Sequence, residues 1–300
     1  MNSSYRKKLS GIFPPNMTCF VNEEVAYDKI RMNIEKYEQT SIAGYFPLGS
    51  NGEFRSLTDE ESLRVVEVYQ KFKGKDKVLM AGVARESAKT TIEFTKKVAD
   101  SGVEFATILP PNYFVNVMTD DVLAKYYTTV ADKSPIPIIL YNAPKFAQDL
   151  LLSPNLITRL ASHPNIAAMK DTSKEDISIY TKAVPEGSNF FILAGTIEKF
   201  FKGLEVGAIG GVLSIANYLP KICCELFDLY VAGKHAEAAK LDVHARALSS
   251  NAAGKAGIAG VKAAMDALGY FGGDPRLPVP PLNDAQKAEL KAVLQKEGLL

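Results

Sequence analysis

Eight short apolar runs, each followed by a stretch with helical spacing, restrict the folds open to this 300-residue chain. The runs cover 11–15 with 18–20, 42–48, 78–83, 105–109, 137–141, 166–171, 190–195 and 208–214. Between them, Val25, Ile30, Ile34 and Tyr37 form the apolar stripe of a helix that starts near Glu23. Thr58 and Glu61 have the spacing of a capping box opening a helix that reaches Gly74. Helices are predicted over 87–101, after the Thr119 cap, after Ser153-Pro154 and from about Lys174. Strands that are apolar throughout, rather than alternating, belong to a parallel sheet covered on both faces. Eight such strand–helix units predict a (β/α)8 TIM barrel, an α/β fold. No G-x-G-x-x-G follows the first run, which argues against a dinucleotide-binding sheet. Beyond Leu219-Pro220 the strand signal stops, and helices are predicted over 222–232, 235–250, 257–268 and 284–297. The expected organisation is therefore a barrel catalytic domain over 1–218 and a C-terminal helical extension over 219–300 packed on the barrel.

Charge and cysteine content narrow the setting. Thirty-five basic and 34 acidic residues nearly cancel, so nothing electrostatic points to nucleic acid or a membrane surface. Three cysteines, two of them adjacent at Cys223 and Cys224, make no disulfide framework and fit a reducing compartment. Residues 1–8 lead into no signal-type apolar stretch, and no run approaches the ~18 apolar residues of a membrane span. A soluble, cytoplasmic protein is expected. His163, His235 and His244 have no partners at metal-ligand or triad spacing, so no metal is expected.

The sixth run ends Met169-Lys170-Asp171. Lysine is rarely buried without a partner or a chemical role. Desolvation at a strand end lowers its pKa and raises the free-amine fraction, the nucleophile of Schiff-base chemistry. A lysine there can equally run its stem along the strand and reach water. Barrel active sites gather at the C-terminal ends of strands, which directs attention to three other places. Ser50 and Asn51, flanked by Gly49 and Gly52, offer backbone N–H groups and short polar side chains suited to a carboxylate, or make an ordinary turn. Tyr141 closes the fifth run, where its phenol either serves the chemistry or simply packs. Gly195, Gly210 and Gly211 leave room at the last two strand ends, and Leu213 joins Gly211 as a candidate lining residue. Glu53 and Asp171 have the character of supporting groups in cap or pairing roles.

Ser50-Asn51-Gly52-Glu53, Tyr141-Asn142-Ala143-Pro144 and Met169-Lys170-Asp171, in that order, resemble the dihydrodipicolinate synthase and N-acetylneuraminate lyase superfamily of class I aldolases. The resemblance spans essentially the whole chain. It implies that Lys170 forms an imine with pyruvate or another 2-oxo acid and that Tyr141, paired with the Ser50 hydroxyl, shuttles protons. It further implies that Ser50 and Asn51 hold the substrate carboxylate, that no metal or organic cofactor takes part, and that the protein is a homotetramer built from tight dimers. Tyr113, in Pro111-Asn112-Tyr113-Phe114, best matches the tyrosine the family takes from a neighbouring subunit. Thr172 keeps the hydroxyl of a family serine near the substrate, and Gly195 matches a family glycine. Synthases usually carry an arginine where this chain has Phe146, beside Lys145, and often a glycine where it has Gln148. Gly49 to Phe54, Ser134 to Pro137, His163 to Ile166 and Gly269 to Gly273 look most like 4-hydroxy-2-oxoglutarate aldolase. That implies cleavage of a 4-hydroxy-2-oxo acid to pyruvate and an aldehyde such as glyoxylate. The competing readings are dihydrodipicolinate synthase, an aldolase or dehydratase acting on 2-keto-3-deoxy sugar acids, and a non-catalytic barrel that binds pyruvate-like metabolites.

Overall fold

A computed structural model describes residues 4–300, so the leader reading on Met1, Asn2 and Ser3 lies outside the described residues. Eight strands carry the fold: β1 Gly11–Phe13, β2 Gly44–Tyr45, β3 Val78–Gly82, β4 Phe105–Ile108, β5 Ile138–Asn142, β6 Ile166–Asp171, β7 Phe191–Ala194 and β8 Gly210–Val212. They form one sheet in the order β1-β8-β7-β6-β5-β4-β3-β2. At the two ends of that order the backbone continues the bonding, Ala43 N donating to Ile12 O at 2.8 Å and Phe46 N to Pro14 O at 3.3 Å. The order is therefore cyclic, which makes the fold class the (β/α)8 barrel that the alternation of runs predicts.

The chain packs as two compact units. One holds the described residues up to Gly11 together with Val78–Val212. Within it β3 to β8 pair in parallel, neighbour by neighbour, with Tyr141 opposite Lys170 and Asn142 opposite Asp171 in the β5–β6 register. Every residue of β3, β4, β5, β6 and β8 is buried, as expected of strands covered on both faces. The intervening helices start where the sequence places their caps: the Ser87, Thr119 and Ser153 side chains each accept from a first-turn N–H. Each such cap is worth about 1 kcal/mol.

The other unit holds Ile12–Lys77 and Leu213–Leu300. Here the capping box of Thr58 and Glu61 is formed in full, opening the helix Asp59–Phe72. Four longer helices, Pro220–Val231, His235–Ala252, Gly257–Ala267 and Asp284–Lys296, follow the expected pattern within a few residues. Side chains of the two segments interlock across long stretches of sequence: Tyr37 donates to Asn217 O at 2.7 Å, and Asn33 Nδ2 to Phe271 O at 2.8 Å. Among the described residues no helix is long and apolar enough to cross a membrane.

Several boundaries differ from the sequence reading, the runs 11–15 and 208–214 narrowing to Gly11–Phe13 and Gly210–Val212 among them. The helix expected from Glu23 begins at Tyr27, because Phe20–Val21 and Glu24–Val25 pair as a small antiparallel hairpin. Its tip, Asn22 and Glu23, has φ of 51° and 67°, a left-handed pair no helix accommodates. The predicted strand through Thr18 to Phe20 thus survives only as the start of that hairpin. The run 42–48 is extended only at Gly44–Tyr45, since Leu48 already turns with φ 60°. The helix predicted from Lys174 starts at Ser178, after Asp176 Oδ1 has accepted from Ser178 N at 2.8 Å in a local turn.

Candidate active site

Lys170 is 3% exposed, the penultimate residue of β6. Tyr141 lies opposite it on β5 and is also buried, with the Lys170 Nζ 4.1 Å from the centre of its ring. Desolvation pushes the Lys170 pKa below the ordinary 10.5, while interaction with Tyr141, its hydroxyl included, pulls it partly back. The result is an amine with an enlarged neutral fraction, held beside a phenol able to give and take a proton. The water-reaching alternative for Lys170 is excluded by its burial.

One residue further on, the other face of the two strands carries a second cross-strand pair. Asn142 Nδ2 donates to Asp171 Oδ1 at 2.9 Å and to the Tyr180 hydroxyl at 3.0 Å, while its Oδ1 accepts from Leu152 N. The fully buried Asp171 forms an ion pair with Lys199 at 2.5 Å and accepts from Ser173 N at 3.0 Å. Lys199 also donates to Glu175 O. The pairing role read for Asp171 is the one it fills. Asn142 lies in a motif quoted above, but Lys199 and Tyr180 carry no signal in the sequence that would join them to Lys170. They come from strands and helices whose register only the fold supplies.

The remaining candidates of this unit separate into near and outlying. Thr172 donates from both its N–H and its hydroxyl to Asn142 O, which fixes it just past the lysine. Gly195 N donates to Asp171 O at 2.8 Å. A Cβ at Gly195 would strike the Thr172 methyl and come within 2.6 Å of Asp171 O, so only glycine allows the β6 and β7 ends to approach this closely. Gly211 is buried on β8, opposite Ala194. Tyr113 is not part of the buried pair: it is 73% exposed, its ring edge-on to Phe114 at 4.9 Å and its N–H on Glu86 Oε2.

In the other unit, Ser50 and Asn51 occupy the turn after β2. Asn51 Nδ2 donates to Ser214 Oγ at 2.5 Å, and the Ser50 carbonyl accepts from Glu53 N. Leu213 is buried, its N–H on Phe13 O at 3.1 Å. The turn is bounded by two residues other than glycine with left-handed backbone, Leu48 at φ 60° and Glu53 at φ 52°. Such conformations persist where the surroundings hold them. Glu53 is buried, 2.9 Å from the Nζ of Lys262, and accepts from Arg276 N. Lys262 and Arg276 are absent from the sequence reading. Yet Gly257-Ile258-Ala259-Gly260-Val261-Lys262-Ala263-Ala264-Met265 puts a lysine into an apolar run, the same signal that singles out Lys170. Among the described residues no cluster of His, Cys, Asp and Glu forms a metal-ligand set.

The dihydrodipicolinate synthetase family model matches residues 8–297. A 4-hydroxy-tetrahydrodipicolinate synthase of Methanothrix thermoacetophila is 31% identical, over 95% of this chain and 96% of its own. An L-threo-3-deoxy-hexylosonate aldolase of Hypocrea jecorina is also 31% identical, over 94% and 93%. A protein of Emericella nidulans named "Probable 4-hydroxy-2-oxoglutarate aldolase, mitochondrial" is 29% identical, over 95% and 94%. Among solved structures, a prophage protein of the dihydrodipicolinic acid synthase family from E. coli K12, in complex with pyruvate, superposes with a TM-score of 0.90. It is 25% identical and covers 97% of this chain and 99% of its own.

Proposed function

The chain belongs to the dihydrodipicolinate synthetase family, whose members are pyruvate-dependent lyases and synthases, and on that premise we propose that it cleaves a 4-hydroxy-2-oxo acid through an imine on Lys170. The observation that carries this reading is the buried amine of lowered pKa set against Tyr141. The Lys170 nitrogen adds to the C2 carbonyl, and loss of water leaves an imine whose protonated form draws electrons from the C3–C4 bond. As that bond breaks, the C4 hydroxyl proton leaves, the aldehyde departs, and an enamine remains. Protonation at C3 and hydrolysis then release pyruvate and restore the amine.

In this scheme Tyr141, assisted by the Ser50 hydroxyl and by Tyr113 of a neighbouring subunit, moves the protons. Ser50 and Asn51 hold the carboxylate, and Thr172, Gly195, Gly211 and Leu213 line the substrate. The chain itself supplies the electron sink, so the reaction calls for neither metal nor organic cofactor. The same reading keeps 1–218 as the catalytic barrel with 219–300 as its helical extension, and makes the protein a cytoplasmic homotetramer.

A glyoxylate-releasing substrate is favoured by Phe146, 42% exposed where a synthase would present an arginine. The Hypocrea jecorina aldolase supports a second reading, a longer 3-deoxy sugar acid as substrate. Both are tested by incubating the protein with pyruvate and borohydride, mapping the adduct, and then measuring pyruvate release from a substrate panel. The reduced adduct is expected on Lys170 alone, and Lys170→Ala should lower turnover on the order of 10⁶-fold. An adduct elsewhere, or none, overturns the mechanism. Faster release from a 3-deoxy-hexulosonate than from 4-hydroxy-2-oxoglutarate overturns the substrate, as does faster condensation of pyruvate with aspartate semialdehyde.

A further inference from the structure

The turn that carries Ser50 and Asn51 is held from below by a buried cation on the helix Gly257–Ala267. Lys262 is 1% exposed, and its ammonium donates to two carbonyls and pairs with one carboxylate. Glu53 Oε1 lies at 2.9 Å, Thr18 O at 2.8 Å and Asp274 O at 3.1 Å. The Phe20 ring lies beside it, 4.5 Å from Nζ to centroid. Two of these partners hold the turn themselves. Thr18 passes the grip on, because its hydroxyl donates to Gly52 O at 2.6 Å while its carbonyl takes the lysine. Glu53 ends the turn in its left-handed conformation, with its second oxygen on Arg276 N at 2.9 Å. Arg276 then spans to Glu61 at 2.7 Å and to Ser56 O at 2.7 Å, fixing the chain that leaves the turn.

A buried ion pair is a poor device for stability alone, since well-packed apolar residues of the same volume do as well or better. In some folds its use is instead to select one arrangement among several of similar energy. Here the arrangement selected is that of a six-residue turn with strained backbone at both ends. We infer that Lys262, acting through Glu53 and Thr18, is a positioning residue that sets the substrate-carboxylate affinity of the Ser50-Asn51 turn. The inference rests on the reading of that turn as the carboxylate site.

The test compares the wild type with Lys262→Met, Glu53→Gln and the double variant. Each is titrated with pyruvate under borohydride, and KM and kcat are measured on the cleaved substrate. Both single variants are expected to raise the pyruvate concentration for half-maximal trapping, and KM, by about tenfold. The pH midpoint of trapping, a property of the Lys170 amine, should not move. The double variant should be no weaker than the weaker single one, because both changes remove the same ion pair and together leave no buried charge unpaired. If Lys262→Met does not fold, the nearly isosteric Glu53→Gln decides the matter by itself. Half-saturation unchanged in a folded variant overturns the inference, as does a shifted pH midpoint. Failure of the wild type to trap pyruvate at all would instead overturn the imine mechanism, and this inference with it.

Discussion

At the scale of single residues, the proposed chemistry depends on how little Lys170 resembles a surface lysine. Burial disfavours its ammonium form, and the opposing influence of Tyr141 does not cancel that. Only the neutral amine attacks a carbonyl, so the rate of imine formation should rise with pH through a midpoint below the ordinary 10.5. Measuring borohydride trapping of pyruvate from pH 6 to 11 checks this, and a midpoint at or above 10.5 would refute it. The same shift acts on stability with a definite sign. Below the folded-state pKa the charged amine is buried at a cost, and the cost disappears as pH rises from that value toward 10.5. Lys170→Met should therefore unfold at a higher temperature than the wild type at neutral pH, although it cannot turn over. The sequence made Lys170 conspicuous because a cation ended an apolar run. Lys262 stands in a run of the same kind, but without a strand end or a known motif beside it nothing assigned it a site.

At the scale of elements, β5 and β6 present the Lys170–Tyr141 pair on one face and a polar network on the other. Asp171 has no exposed surface, and its carboxylate is met by Lys199 and by the donors from Asn142 and Ser173. Lys199→Met should lower stability by about 3 kcal/mol, the cost of leaving a buried carboxylate without its cation. Urea unfolding measures it, and a loss under about 1 kcal/mol would mean that water already reaches Asp171. The strands were legible because parallel strands covered on both faces leave a continuous apolar record. Their ends were less so. Ile42 and Phe46 look like strand, but the backbone turns at Leu48, and the Val25–Ile30–Ile34 spacing suits a helix even though Glu24–Val25 pairs as a strand. A two-residue hairpin leaves too short a pattern to outweigh a helical stripe.

At the scale of the molecule, the proposed tetramer gives Tyr113 its use. Its 73% exposure, beside Phe114 at 69%, is a large aromatic surface to leave in water. If the tyrosine serves a neighbour's site, two inactive variants should complement one another. Lys170→Ala mixed with Tyr113→Phe, unfolded and refolded together, should recover about a quarter of wild-type activity, since half the dimers are mixed and each has one complete site. No recovery above the separate variants would place Tyr113 outside the reaction. Glu53 and Asp171 were legible as supporting groups, but what they support was not, because Lys199 lies one strand–helix unit on from Asp171 and Lys262 lies far beyond Glu53 in sequence. For Glu53 that separation decides which stretches of chain the turn needs. Lys262 follows Thr18 by 244 residues and Arg276 follows Glu53 by 223. Any fragment ending between Lys170 and Lys262 therefore keeps Lys170 but lacks the lysine and the arginine that hold the Ser50-Asn51 turn.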